Sequence, residues 1–148
     1  MPSAEMLFIV IAGCGRLGAY LANKLSRDGH SVVVIDKNEA AFDVLASEFS
    51  GFRVEGDATE FAVLKKAKAD RADLVIAATS EDNINLMVAQ VARKIFDIPR
   101  VLAFVYDPKR AEIYHNAGVE TYCPITITAD LFIKSITKSQ VKRKKRGR

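Results

Sequence analysis

A short apolar run, Ile9-Val10-Ile11-Ala12, leads straight into Gly13-Cys14-Gly15-Arg16-Leu17-Gly18, and that into a stretch in which Leu17, Leu21 and Leu25 recur every four residues. The order strand, G-x-G-x-x-G, helix restricts the fold more than any other feature of the chain, because each glycine answers a separate steric demand. Gly13 permits the tight turn, Gly15 lets the backbone approach a diphosphate, and Gly18 lets the helix pack closely on the first strand. Amides at the helix start have no carbonyl partner within the helix and so face an anion. A loop of this spacing also serves elsewhere as a plain strand-to-helix turn. Here Asp36, 23 residues beyond Gly13 and closing a second apolar run, argues for binding. Its carboxylate can accept hydrogen bonds from both hydroxyls of a ribose and repels a 2′-phosphate, which disfavours NADP; Lys37 beside it acts in the opposite sense. Arg16 stands where a guanidinium could cover the phosphates.

Strand-like and helix-like segments alternate along the rest of the chain, the pattern of β-α-β units with right-handed crossovers. Buried parallel strands read as unbroken apolar runs, and Leu7–Ala12, Ser31–Ile35, Leu74–Ala78 and Val101–Val105 fit; Phe52–Val54 and Glu120–Tyr122 are shorter. Helical periodicity predicts a second helix carrying Phe42, Leu45, Ala46 and Phe49 and stopped by Gly51. Further helices are expected around Phe61–Ala67, over Asn85–Ile95, after Asp107-Pro108 as far as Gly118, and from Ile125 or Thr128 to Thr137. The fold class is therefore α/β: a Rossmann-type, doubly wound, parallel six-stranded sheet in the order 3-2-1-4-5-6.

A chain of 148 residues suits one domain. Its net charge of +4 is unevenly placed: residues 138–148 hold seven Lys/Arg and no acid, leaving 15 basic against 18 acidic residues elsewhere, a balance of −3. The expected organisation is a domain over 1–137 and a basic, disordered tail over 138–148, since blocks of like charge repel. Attraction of that tail to anionic lipid ranks second, and nucleic acid last. Met6–Ala12 has only seven residues, against the about 20 of a bilayer-spanning helix, and no basic stretch precedes it, so a cytoplasmic location is expected. Cys14 and Cys123 form no C-x-x-C pair, and neither a disulfide framework nor a metal site is indicated.

Two more loops fall at the carboxyl ends of strands, where ligands of open α/β sheets collect. Gly56-Asp57-Ala58-Thr59 should flank the adenine and Ala77-Ala78-Thr79-Ser80 the phosphate or a second ribose; Asp57 reads equally as a helix cap. These loops, with Gly13–Gly18, Gly29–Asp36, Ala72–Thr79, Asp82–Asn85, Pro99–Val105 and Gly118–Pro124, resemble the TrkA-N, or RCK, domains, the nucleotide-sensing regulatory domains of potassium channels and transporters. The resemblance covers roughly residues 7–137. It implies a cytoplasmic regulatory subunit at the inner face of the cell membrane that binds NAD(H) or an adenine nucleotide (ATP, ADP or AMP) and gates a membrane potassium channel or transporter subunit. On matching positions Gly13, Cys14, Gly15, Arg16, Leu17, Gly18, Asp36, Lys37, Asp57, Ala58, Thr59, Ala78 and Thr79 would hold the ligand. It further implies a homo-oligomer, a dimer or a higher ring, formed through the C-terminal helix, where Leu131, Phe132, Ile133 and Ile136 are apolar. The second, C-terminal lobe common in the family has no counterpart in these residues, and whether a separate polypeptide supplies it stays open.

Two other readings compete: an NAD-dependent oxidoreductase, and a stand-alone nucleotide-binding domain unrelated to transport. A dehydrogenase needs a positioned acid or base beside the nicotinamide. His30, in the Gly-His turn before the second strand, reads as structural, His115 as a surface residue, and Cys14 can meet a phosphate only through its backbone. The sensor reading asks for less, a ligand that binds two conformations unequally and an interface that reports the difference, and the chain is expected not to be an enzyme.

Overall fold

A computed structural model describes residues 5–146, with side chains as far as Gln140. Six parallel strands form one sheet in the order β3-β2-β1-β4-β5-β6, as the alternation predicts. They are β1 (Phe8–Ala12), β2 (Ser31–Asp36), β3 (Phe52–Glu55), β4 (Leu74–Ala77), β5 (Arg100–Phe104) and β6 (Glu120–Tyr122). Helices α1 (Arg16–Arg27), α2 (Phe61–Lys66), α3 (Asp82–Gln90) and α4 (Pro108–His115) lie between strands, and α5 (Pro124–Arg146) follows β6. Strand order reverses between β1 and β4, where Ala12 stands beside Ala77, so a crevice opens at their carboxyl ends.

Successive residues of each strand feed opposite layers. Ile9, Ile11, Val32, Val34 and Ile76 pack with Ala19 and Ala22 of α1, while Val10, Val33, Ile35, Val75 and Val101 pack with Leu64, Val88 and Ala92 on the other face. Full burial of a Val, Leu or Ile side chain stabilises by about 1.5–3 kcal/mol relative to leaving it in water, so the central strands anchor the fold. Burial on both faces is also why these strands read as continuous apolar runs.

Three stretches depart from the periodicity. The second helix does not form: Glu39–Val44 makes a 3₁₀ turn and Leu45 is already extended, although Phe42, Leu45 and Phe49 are buried as their spacing implies. Asn23 of α1 explains the break, because its Oδ1 accepts the Ala46 N–H at 2.8 Å and withdraws that donor from any helical ladder. The helix expected over Asn85–Ile95 starts earlier, at Asp82, and its last turn, Val91–Ile95, widens to π geometry. Finally, α5 does not end at Thr137 but continues to Arg146, through most of the segment expected to be disordered. Lys, Arg and Gln are good helix formers and no Gly or Pro interrupts them before Gly147; Gly147 and Arg148, like residues 1–4, lie outside the described residues.

Candidate functional site

The three glycines of the loop divide their labour. Gly13 has φ +105°, and a Cβ there would come within 2.8 Å of the Ala78 carbonyl oxygen; at Gly18 a Cβ would run into the Gly13 carbonyl. Both are demanded by the fold. At Gly15 a Cβ would meet nothing within 4 Å, and its φ of −79° suits any residue. The protein itself therefore gives no reason for a glycine at 15, whereas a ligand lying against the backbone does.

Gly15 is also the N-cap of α1. No side chain caps this end, no acid stands in the first turn, and the first helical bond runs from Ala19 N–H to the Gly15 carbonyl at 2.8 Å. The amides ahead of Ala19 thus present donors and the positive end of the helix dipole to one place. Around that place lies a cleft of about 540 Å³, within the usual size of a small-molecule site. Gly13, Gly15, Arg16, Leu17, Asp36, Lys37, Asp57, Ala58, Ala78 and Thr79 line it.

The other three residues expected to touch a ligand stand behind the cleft wall. Gly18 packs under the loop. Cys14 is buried; its N–H donates to Asp36 Oδ2 at 2.8 Å and its Sγ to the Ala41 carbonyl at 3.4 Å. Burial, then the nearby Asp36 charge, with Arg53 partly opposing, pushes the thiol up to about 11, so it is protonated at neutral pH. The Thr59 hydroxyl donates to Asp57 Oδ1 at 2.6 Å and its N–H to the same oxygen at 2.9 Å.

That pair of bonds settles what Asp57 does for the fold. It shapes its own turn and does not cap α2, whose N-cap is Glu60. The Thr59 side-chain and backbone hydrogen bonds, with Lys37 adding attraction, hold the Asp57 carboxyl below the usual carboxylate range. Lys37 Nζ lies 3.4 Å from Asp57 Oδ2, linking the loops after β2 and β3 across one side of the cleft. Asp36 closes β2, where its Oδ1 accepts the Asn38 N–H at 2.9 Å while Oδ2 holds the glycine loop. Each carboxylate oxygen can accept a second bond, which leaves capacity for a sugar hydroxyl.

Of the opposite wall, made by Ser80, Glu81, Ile84, Phe104 and Tyr106, sequence reasoning placed only Ser80, in the loop after β4. The Phe104 and Tyr106 rings meet edge to face with centroids 4.5 Å apart. It also missed Asn85, the buried polar side chain of the core at 0% exposure. Asn85 Oδ1 accepts the Thr79 N–H at 2.9 Å and its hydroxyl at 2.6 Å, and Nδ2 donates to the carbonyls of Thr79 (3.0 Å) and Phe104 (2.8 Å). One amide thereby fixes the ends of β4 and β5 on the cleft. The available signal was an asparagine placed three and four residues before Val88 and Ala89, on the apolar face of its helix. His30 proves structural, its Nδ1 accepting the Leu7 N–H at 3.1 Å.

Among the described residues no cluster of three or more His, Cys, Asp or Glu could hold a metal ion, and no helix is long and apolar enough to cross a membrane. The donor set instead suits a phosphorylated nucleoside: uncapped amides for phosphate, a carboxylate for ribose, and small residues such as Ala58 and Ala78 beside the cleft.

The chain is 40% identical over 133 residues to the Trk system potassium uptake protein TrkA of Streptomyces coelicolor, covering 90% of this chain and 60% of that one. It is 32% identical over 136 residues to the TrkA homolog of Methanothermobacter thermautotrophicus, covering 91% and 62%. The chain thus spans between about half and three fifths of the length of the relatives it matches. Among solved structures, the Kef CTD of Shewanella denitrificans in its AMP-bound form superposes with TM-score 0.71 at 25% identity, covering 88% of this chain and 80% of that one. GsuK bound to ADP gives 0.65 at 25% identity, covering 83% and 32%. A family model, the TrkA-N domain, matches residues 9–124, and the chain belongs to that family.

Proposed function

We propose that this chain is a nucleotide-sensing regulatory domain of a potassium transport system, acting at the cytoplasmic face of the membrane, and that its ligand is NAD(H) or an adenine mono-, di- or triphosphate. The observation that carries the reading is the empty space over Gly15 in front of the uncapped start of α1. Phosphates lie on the amides of residues 15–17, with the Arg16 guanidinium over them. Asp36 takes the ribose hydroxyls, and Lys37, Asp57 and Ala58 flank the base. The relatives' potassium-uptake role and the AMP and ADP bound by Kef and GsuK support this assignment.

A regulatory site must bias something. A chain of hydrogen bonds leads from the cleft to α5: Asn85 joins Thr79 to Phe104, Asp82 accepts the Tyr106 and Asp107 N–H groups at 2.8 and 3.0 Å, and Cys123 Sγ donates to the Tyr106 carbonyl at 3.6 Å. Cys123 then accepts the Ile127 N–H in the first turn of α5. Along α5, Ile125, Ala129, Phe132 and Ile136 recur at spacings of four, three and four, an exposed stripe suited to a second copy of the same helix. Nucleotide occupancy is thereby reported to a homo-oligomer and, through it, to a membrane potassium transporter subunit.

The test is calorimetric titration and thermal shift of the purified chain with NAD, NADH, ATP, ADP and AMP. A ligand at 100 times its dissociation constant adds about 2.7 kcal/mol of stability. No shift with any of the five at millimolar concentration would falsify the assignment.

A further inference from the structure

The charge on α5 has no part in nucleotide binding or in the apolar stripe. Residues 138–148 carry seven Lys/Arg and no acid, while the rest of the chain is net −3. The helix has 23 residues and so is about 35 Å long, and every residue from Ile125 to Gln140 is exposed. Lys138 therefore stands about 21 Å along the axis from the start at Pro124, and Arg146 about 33 Å. At physiological ionic strength the Debye length is about 8 Å, so the acidic body does not neutralise the basic end. The backbone of α5 carries this basic stretch of sequence along an exposed helix as far as Arg146.

We infer that the basic end of α5, Lys138 to Arg146, docks on an anionic lipid surface. The inference rests on the proposed membrane partner for its choice of surface, and not on the nucleotide. Lipid suits this helix better than a nucleic acid does because Leu131, 59% exposed, lies off the Ile125–Ile136 stripe, on the side of the helix that Lys134 and Lys138 share three and seven residues on, and so is left out of a pairing along that stripe. The interfacial layer of a bilayer receives apolar side chains next to the headgroups that attract Lys and Arg, whereas a duplex backbone has no place for them. Pairing of two α5 helices would present two basic ends to one surface and strengthen the contact by avidity.

The experiment is co-sedimentation of the full chain with vesicles of phosphatidylcholine alone and of phosphatidylcholine mixed with phosphatidylglycerol, at low and moderate salt, with duplex DNA at equal phosphate as competitor. A variant with Lys138, Lys142, Arg143, Lys144, Lys145 and Arg146 all changed to Gln keeps good helix formers throughout. Each basic residue near an anionic surface contributes roughly fivefold to partitioning, so the variant should bind the mixed vesicles at least a hundredfold more weakly. Leu131→Ser should weaken lipid binding and leave any DNA binding as it was. The thermal shift with adenine nucleotide should be unchanged in both variants, so loss of lipid docking and loss of nucleotide sensing are read separately. Equal binding to neutral and anionic vesicles, an unaffected glutamine variant, or displacement from lipid by DNA would each overturn the inference.

Discussion

Gly15→Ala and Gly15→Val should separate binding from folding more cleanly than any other change in the molecule. A Cβ at this position has no protein atom within 4 Å, and the backbone angles are those of an ordinary residue. Two small terms oppose each other. Ala is a poorer N-cap than Gly by some tenths of a kcal/mol to about 1 kcal/mol, while removing a glycine from the unfolded chain stabilises by about 0.4–1 kcal/mol. Net stability should move by less than about 1 kcal/mol, or at most about 4 °C in Tm for a chain of this size. The added carbons occupy the space in front of the α1 amides, where the proposed function puts the phosphate oxygens. Adenine-nucleotide affinity should therefore fall at least tenfold for Ala, about 1.4 kcal/mol, and further for Val. Gly18→Ala is the control of opposite kind: its methyl runs into the Gly13 carbonyl, and overpacking of this sort destabilises by about 1–3 kcal/mol. Paired thermal melts and titrations with ADP and NADH measure both quantities. A Gly15→Val protein that melts and binds like the parent would refute the placement of phosphate on this loop.

Other outcomes follow from single residues. Asn85→Leu leaves the Thr79 N–H and the carbonyls of Thr79 and Phe104 without their partner, at about 1–3 kcal/mol per buried group; urea unfolding should show a loss of at least about 3 kcal/mol. Cys14, with its thiol pushed up to about 11, should resist thiol reagents at pH 8 in the folded state and react once urea unfolds the chain. Because burial disfavours its thiolate, stability should fall as pH rises from about 9 towards 11, a fall that Cys14→Ala abolishes and an unaltered alkaline limb would contradict. Phe132→Glu, in the centre of the exposed stripe, should shift sedimentation towards monomer; an unchanged oligomer would move the interface off α5.

The strands were legible because the central ones are sealed on both faces, so Val32–Ile35 had to be apolar without alternation. The glycine loop was legible because its demands are local to the chain. What escaped depends on partners distant in sequence. Phe42, Leu45 and Phe49 have helical spacing and are buried, yet the backbone between them is diverted by Asn23, more than twenty residues earlier. Thr59 stands in the right loop but spends its hydroxyl on Asp57, and the Cys14 N–H, the one group of that residue expected to reach a phosphate, is taken by Asp36 of the neighbouring strand. The Phe104–Tyr106 wall arises only when β5 is laid beside β4, and Asn85 is recognisable as a clamp only once both strand ends converge on it.

The hydrogen bond between the Asp36 carboxylate and the Cys14 amide has a consequence for how signalling can work at all. Because this brace holds the glycine loop in shape without a ligand, the entropy of ordering the proposed phosphate site is incurred during folding and not on association. A half-site that rigid can grip a nucleotide but has little room to move in answer to it. In the proposed sensor, responsiveness then falls to the far shore of the crevice, the Ser80–Glu81 and Phe104–Tyr106 segments, and an activating nucleotide differs from a silent one in the part that extends that far.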